Sequence, residues 1–294
     1  MNGQFGGHSM VSALRRVAVC PPRSAGWADT ERAGAWRELG FLHVPDFQTA
    51  GHQHGEMVAQ LEEAGCQVLS LEGSGLSMDA VYAHDASLVT DLGAICLRMG
   101  KPSRCDEPAA HAALYVAAAI PVLGEIRAPG TVEAGDVLWL SEKTLLVGRG
   151  YRTNTEGINQ LASLLGPYGI DVIPAPLPHG AGPQTCLHLM SLISLLDERT
   201  ALADPCWLAV ETMELLNKLE YRLIEIDQSE RETLACNVLS LGRGRLLALA
   251  ENRRTNSLLL REGFDVRTFA GSELGINGGG GPTCLTRPIL RRDG

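Results

Sequence analysis

Three separate segments of the chain carry side chains that together could attack an electrophilic carbon. They are Gly130-Thr131-Val132-Glu133-Ala134-Gly135-Asp136, Leu187-His188-Leu189, and Gly278-Gly279-Gly280-Gly281-Pro282-Thr283-Cys284. A deprotonated cysteine forms covalent intermediates, an imidazole moves protons near neutral pH, and a carboxylate orients a cation or the imidazole itself. The glycines before Cys284 let backbone bend closely around a small substrate, since glycine tolerates positive φ. Each part also has an ordinary reading. A histidine between leucines is commonly a hydrogen-bonded core residue, and Glu133 among small residues could cap a turn. Cys20, Cys66, Cys96 and Cys236 sit in apolar runs and read as small core hydrophobes, whereas Cys284 follows a glycine loop. The eight cysteines show no CxxC pair or zinc spacing, which fits reduced thiols.

Something must bring these segments together, and a recurring unit does so. Asp136 to Gly148 and Asn237 to Leu249 each hold two apolar runs around a short polar turn, the pattern of a hairpin. Both lead into the same tripeptide, Arg152-Thr153-Asn154 and Arg254-Thr255-Asn256, where Thr-Asn suits a helix N-cap. Ile158, Leu161, Leu164 and Leu165 then form a helical stripe. Weaker copies begin at Asp85 and His188, and Val17–Cys20 with a helix near 56–64 and a strand at 66–71 supplies a fifth. Five units predict a closed, pseudo-symmetric α/β architecture. Asp85, Asp136, His188 and Asn237 each open a unit, so rotation would carry all four to one axis.

Composition bounds the rest. The chain has 294 residues, 45% hydrophobic, with a net charge of −9 and 5% aromatics. That balance argues against nucleic acid as a partner, which calls for a basic face or stacking aromatics. No apolar run approaches the roughly 18 residues of a membrane span, and the start lacks the pattern of a signal peptide. The expectation is a cytoplasmic protein with a flexible leader over residues 1–14 and a single catalytic domain over 15–294; a homodimer is left open. Residues 26–42 are the candidate lid, on length and polarity. His52, His54 and Glu56 lack the HExxH spacing, and the glycine run has neither a Walker lysine nor GxGxxG. Neither a metal nor another cofactor is expected.

In the order of its motifs the chain resembles the guanidine-group-modifying enzyme superfamily, and within it the dimethylarginine dimethylaminohydrolases. The matching residues are Pro45-Asp46 with Gln53-His54, Asp79 and Asp85, Arg104 and Glu107, the segment from Pro129 to Asp136, Arg152-Thr153-Asn154, Leu187-His188-Leu189 and the glycine stretch ending at Cys284. The resemblance implies a five-bladed α/β propeller of ββαβ units with a central site. It implies Cys284 as nucleophile, His188 as general acid and base, and Glu133 as the carboxylate holding a guanidinium. Asp85 would be a second such carboxylate, Arg104 and Arg152 would bind the substrate's carboxylate, and Asp79 would lie near its amino group. The implied substrate is a small cationic guanidino amino acid, giving citrulline and an alkylamine if it is dimethylarginine.

Three positions depart from the pattern. His84 stands where the family often has Glu, so His84 joins the residues expected in the guanidinium pocket. Met190 stands where deiminases and amidinotransferases carry Asp, and as an apolar neighbour it would suit an alkylated nitrogen. The tail Cys284-Leu285-Thr286-Arg287-Pro288 is unlike that of the familiar dimethylaminohydrolases. Arginine deiminase-like or dihydrolase activity and amidino transfer are therefore carried as alternatives. A purely binding role, like that of a ribosome anti-association factor on the same fold, would not need the retained thiol, imidazole and carboxylate.

Overall fold

The computed structural model describes residues 3–73, 75–183 and 185–293. Its strands form five three-stranded sheets, each with one antiparallel and one parallel pairing. The chain enters through β1 (Leu14–Val19), then two short helices, α1 (Thr30–Ala33) and α2 (Trp36–Leu39). The long helix α3 (Phe47–Glu63) follows, and then β2 (Gln67–Ser70). The second blade is the hairpin β3 (Ser87–Thr90) and β4 (Gly93–Cys96), helix α4 (Glu107–Ala117) and β5 (Val122–Glu125). The third repeats this as β6 (Val137–Ser141), β7 (Thr144–Arg149), α5 (Thr155–Leu165) and β8 (Asp171–Pro176). The fourth is β9 (Ile193–Leu195), β10 (Thr200–Ala203), α6 (Val210–Lys218) and β11 (Arg222–Glu225). The fifth is β12 (Leu239–Gly242), β13 (Arg245–Leu249), α7 (Arg253–Arg261) and β14 (Asp265–Phe269). Finally β15 (Arg287–Arg291) pairs antiparallel with β1 and completes the first blade. This is the five-bladed α/β propeller of ββαβ units that the repeats predict, with the first unit's missing strand supplied from the other end of the chain.

Each helix packs on its blade through one buried stripe. On α3 the buried positions are Ala50, Gln53, Met57 and Leu61, spaced by three or four residues as a helix requires. Gln53 is polar, and its burial is explained by three bonds. Its amide nitrogen Nε2 donates to Ser272 Oγ at 2.8 Å, while Oε1 accepts from the backbone N–H groups of Glu273 and Leu274. Asp46 caps the helix through Gln48 and Thr49, so α3 starts nine residues before Glu56, where the expected helix began.

Asn154 caps α5 as expected, its Oδ1 accepting from Gly157 N at 2.8 Å. The same oxygen accepts from Thr131 N and Nδ2 donates to Pro129 O, so this cap also fixes the loop that carries Glu133. Asn154→Ala should lower the unfolding free energy by about 1–2 kcal/mol in urea titrations. The matching tripeptide behaves differently. Asn252 precedes α7, and Asn256 lies inside the helix, donating to Leu249 O. There the Glu230 carboxylate reaches in from a neighbouring loop and takes the N–H groups of Arg254 and Thr255.

Residues 6–12, within the stretch expected as a loose leader, lie against the propeller. Gly6 exchanges backbone bonds with Ile289 and Arg291, and the buried His8 ring stacks 4.2 Å from Trp139. Among the described residues no helix is long and apolar enough to cross a membrane.

Candidate active site

The candidate residues come from the loops that feed the first strands of the blades. Asp85 lies two residues before β3, Asp136 directly before β6, His188 before β9, Asn237 two before β12 and Cys284 three before β15. These starts converge, so side chains nearly 200 residues apart share one space.

Glu133 and His188 meet directly: His188 Nε2 and Glu133 Oε2 are 2.8 Å apart and both side chains are buried. The other carboxylate oxygen of Glu133 accepts the backbone N–H groups of Gly100 and Lys101, each at 3.0 Å. Arg152 Nη1 adds a longer ion pair at 3.3 Å. Burial raises the Glu133 pKa, but the bond and charge of His188, with Arg104 and Arg152, hold the group well below the usual carboxylate range. On the other side of the ring, Asp85 Oδ1 lies 3.9 Å from His188 Nδ1 and accepts from Gly135 N at 3.0 Å. Gly135 is required there, because a Cβ would fall 2.4 Å from His188 Nδ1.

Burial opposes the imidazolium of His188, yet the Cys186 sulfur and the carboxylates of Asp85 and Asp136 outweigh it and hold the pKa well above the ordinary value. The histidine is thus charged at neutral pH and ready to give a proton. Cys284 is in the opposite condition. Burial and the nearby Asp85 charge push its thiol up to about 12, against smaller downward pulls from His188 and the Asn237 amide. The resting group is the thiol.

Only one of the four glycines before Cys284, Gly279, has positive φ. The others are required by close packing. A Cβ at Gly278 would strike the Tyr82 hydroxyl at 2.0 Å, one at Gly280 the Tyr82 ring at 2.5 Å, and one at Gly281 would strike Asn237 at 2.8 Å. The run lets the loop before Cys284 approach these neighbours closely.

Several expected substrate contacts sit elsewhere. Arg104 is not free to take a substrate carboxylate. It donates to both oxygens of Glu107 at 2.8 Å, to Asp85 Oδ2 at 2.5 Å and to Tyr82 O at 2.9 Å, all buried. Its work is to hold Asp85 ionised and aimed, as such forked pairing does well. His84 turns from the pocket as well. Its Nδ1 bonds Thr286 O at 2.8 Å and its backbone N–H donates to Cys284 O, so it braces the nucleophile loop. Burial, with the Arg287 charge, lowers its pKa to about 3, keeping it neutral. Met190 packs in an apolar cluster with Leu138, Leu146 and Ile193 rather than beside the histidine ring. Asp79 pairs with Lys101 Nζ at 2.6 Å. Arg152 is buried against Glu133, whereas its counterpart Arg254 is a surface residue.

Sequence reasoning passed over Cys186, Lys101 and Asn237 as functional groups. Cys186 Sγ lies 3.6 Å from His188 Nδ1. Lys101 Nζ joins Asp79 to Leu39 O at 2.7 Å, tying residues 26–42 to the site, and Leu42 N donates to Asn277 O nearby. Asn237 touches the Cys284 sulfur. Its place at a unit start was the available signal.

Asp85, Glu133 and His188 offer ligand atoms within 4.8 Å of one another, the spacing of a metal site. Their oxygens already accept from N–H donors, and the raised pKa of His188 disfavours the neutral imidazole that a metal ion needs. Buried Asp136 accepts from Leu189 N at 2.9 Å and burial raises its pKa to about 6. A carboxyl raised in the fold contributes stability below its unfolded value and loses it as pH rises through the folded one. Asp136→Asn keeps an oxygen for Leu189 and removes the ionisation. The decline in unfolding free energy between about pH 4 and about pH 6 should flatten in urea titrations.

Comparison with known proteins gives the family. The arginine deiminase family model matches residues 76–214 and 203–291. An N(G),N(G)-dimethylarginine dimethylaminohydrolase of Streptomyces coelicolor is 30% identical over 224 residues, covering 75% of this chain and 78% of that protein. The one from Pseudomonas aeruginosa is 27% identical over 245 residues, covering 83% of this chain and 90% of its own length. A solved structure of the Pseudomonas aeruginosa enzyme, a cysteine-to-serine mutant complexed with citrulline, superposes with a TM-score of 0.75. It is 25% identical and covers 94% of this chain and 100% of that one. With its cysteine, histidine and paired carboxylates brought together at the blade starts and most of its length matched, this chain belongs to the arginine deiminase family.

Proposed function

We propose that the protein is a cysteine-dependent hydrolase that cleaves a C–N bond of an N-substituted arginine or a related guanidino amino acid. The observation that carries this reading is the buried cradle of Glu133 and Asp85 on either side of the charged His188, with a partly buried thiol supplied by the adjoining loop. Membership in the family and the likeness to dimethylaminohydrolases support it.

A guanidinium carbon is a poor electrophile, so an anionic sulfur is needed. The bound cation lies flat against the two carboxylates and, close to Cys284, favours the thiolate by its charge. The thiol proton passes to solvent. Sulfur then bonds to the central carbon, and His188 gives its proton to the departing nitrogen as the C–N bond breaks. A neutral amine and a cationic thiouronium remain. The now neutral His188 takes a proton from water as its oxygen adds to carbon. Breaking the C–S bond returns the thiolate, and the ureido product sheds its extra proton to the amine or to solvent. Arg152 is the remaining guanidinium suited to the substrate's α-carboxylate, and Asp79 to its ammonium.

The test is incubation with dimethylarginine, monomethylarginine and arginine, measuring ureido product and the amine or ammonia released. Turnover of the methylated substrates is expected. Turnover of arginine alone would replace this reading with a deiminase or dihydrolase. Amidino transfer would show as a product that appears only with an acceptor amine.

A further inference from the structure

Asn237 is buried, two residues before β12, on the blade that faces the nucleophile loop. Its Oδ1 accepts the backbone N–H of Thr283 at 3.0 Å. That bond fixes which way round the amide sits, so the group at 3.0 Å from Cys284 Sγ is the Nδ2 donor. Packing fixes the side chain as well, since even a Cβ on Gly281 would overlap it. The amide therefore cannot swing away, and one of its N–H groups stays on the sulfur.

We infer that Asn237 is a further catalytic residue, whose side-chain N–H holds the Cys284 thiolate before attack and receives it again when the C–S bond breaks. This rests on the proposed cysteine mechanism and adds to it a group that acts on the sulfur itself. The reason is differential bonding. A thiolate accepts a hydrogen bond far better than a thiol, and better than a sulfur covalently bound to carbon. The amide thus favours the anion that attacks in the first half-reaction and leaves in the second. His188 is occupied with Glu133 on one face and Cys186 on the other. Asn237 is the one neutral donor on Sγ among the described residues.

The test reads the sulfur directly and needs no substrate. Wild type, Asn237→Asp and Asn237→Ala are alkylated with iodoacetamide across a pH series. Labelling at Cys284 is followed by peptide mass, because the exposed Cys105, Cys186 and Cys206 will also react. Asn237→Asp keeps the acceptor for Thr283 and loses the donor; Asn237→Ala loses both without adding charge. At every pH below the midpoint of its titration Cys284 labels in proportion to its thiolate fraction, so its rate should fall about 10–100-fold in both variants. Turnover should fall about 10–100-fold with KM little changed, while near-ultraviolet circular dichroism stays native. Labelling of Asn237→Ala along the wild-type curve would overturn the inference, leaving a shift in Asn237→Asp alone as an effect of its charge. Should Asn237→Ala not fold, Asn237→Val, neutral and without a donor, takes its place, and a wild-type curve there overturns the inference equally. Loss of activity in Cys284→Ala with unshifted labelling in the Asn237 variants would sink this role and leave the hydrolase reading standing.

Discussion

Cys284→Ala should abolish turnover of any guanidino substrate, by roughly four orders of magnitude or more, while the protein keeps its fold and still binds substrate. The side chain is partly exposed, so truncation opens only a small space. Nothing else in the cradle can replace a sulfur bond to carbon: Glu133 and Asp85 are held by N–H donors, and His188 is protonated. Two measurements check this. Ureido product should be undetectable in the variant, and rapid quenching of wild type should yield a peptide carrying Cys284 with the mass of an amidino adduct. An active variant, or an adduct on Cys186, would remove Cys284 from the reaction.

His188→Asn should lower kcat by about 10²–10⁴-fold, the range for loss of a positioned general acid and base. Because the histidine donates a proton in one half-reaction and accepts one in the other, both halves slow, and substrate design separates them. A substituent that makes the departing amine weakly basic lets it leave without a proton. With such a substrate the variant should form the covalent adduct at near wild-type rate and then stall before water adds. The observable is a burst of released amine with little ureido product. Equal slowing of both phases for every substrate would assign His188 to holding Glu133 in place instead.

The repeating unit was readable because hairpins announce themselves twice, by apolar alternation and by the polar turn between. The pairings β6–β7 and β12–β13 lie where those runs predict. Convergence of Asp85, Asp136, His188 and Asn237 followed from their equivalent places in the units. Side-chain partners were less legible, because a position in a repeat does not say which neighbour reaches it first. Arg104 ends a short turn three residues before Glu107, the first residue of α4, and that local pairing commits it before any substrate arrives. Asn256 repeats the place of Asn154, but Glu230 does the capping from another loop and leaves the asparagine inside the helix. Met190 follows Leu189 into a short turn directed at the interior between the third and fourth blades, so nearness in sequence to His188 did not mean nearness to the ring. Cys186, two residues away on the other side, is the one that meets it.

The pairing of β15 with β1 bears on when activity can arise during synthesis. Cys284 hangs just ahead of that final strand, and His84 and Arg287 bond across the same junction, through the Cys284 and His84 carbonyls respectively. Four blades can assemble before it, but the first blade lacks its third strand, and the loop carrying the thiol is clamped from one end only, until residues beyond 287 emerge and zip onto a strand made some 270 residues earlier. Nascent chains arrested before that point would hold the carboxylates and imidazole with the thiol less firmly clamped, so iodoacetamide should label the cysteine faster there than in the finished protein.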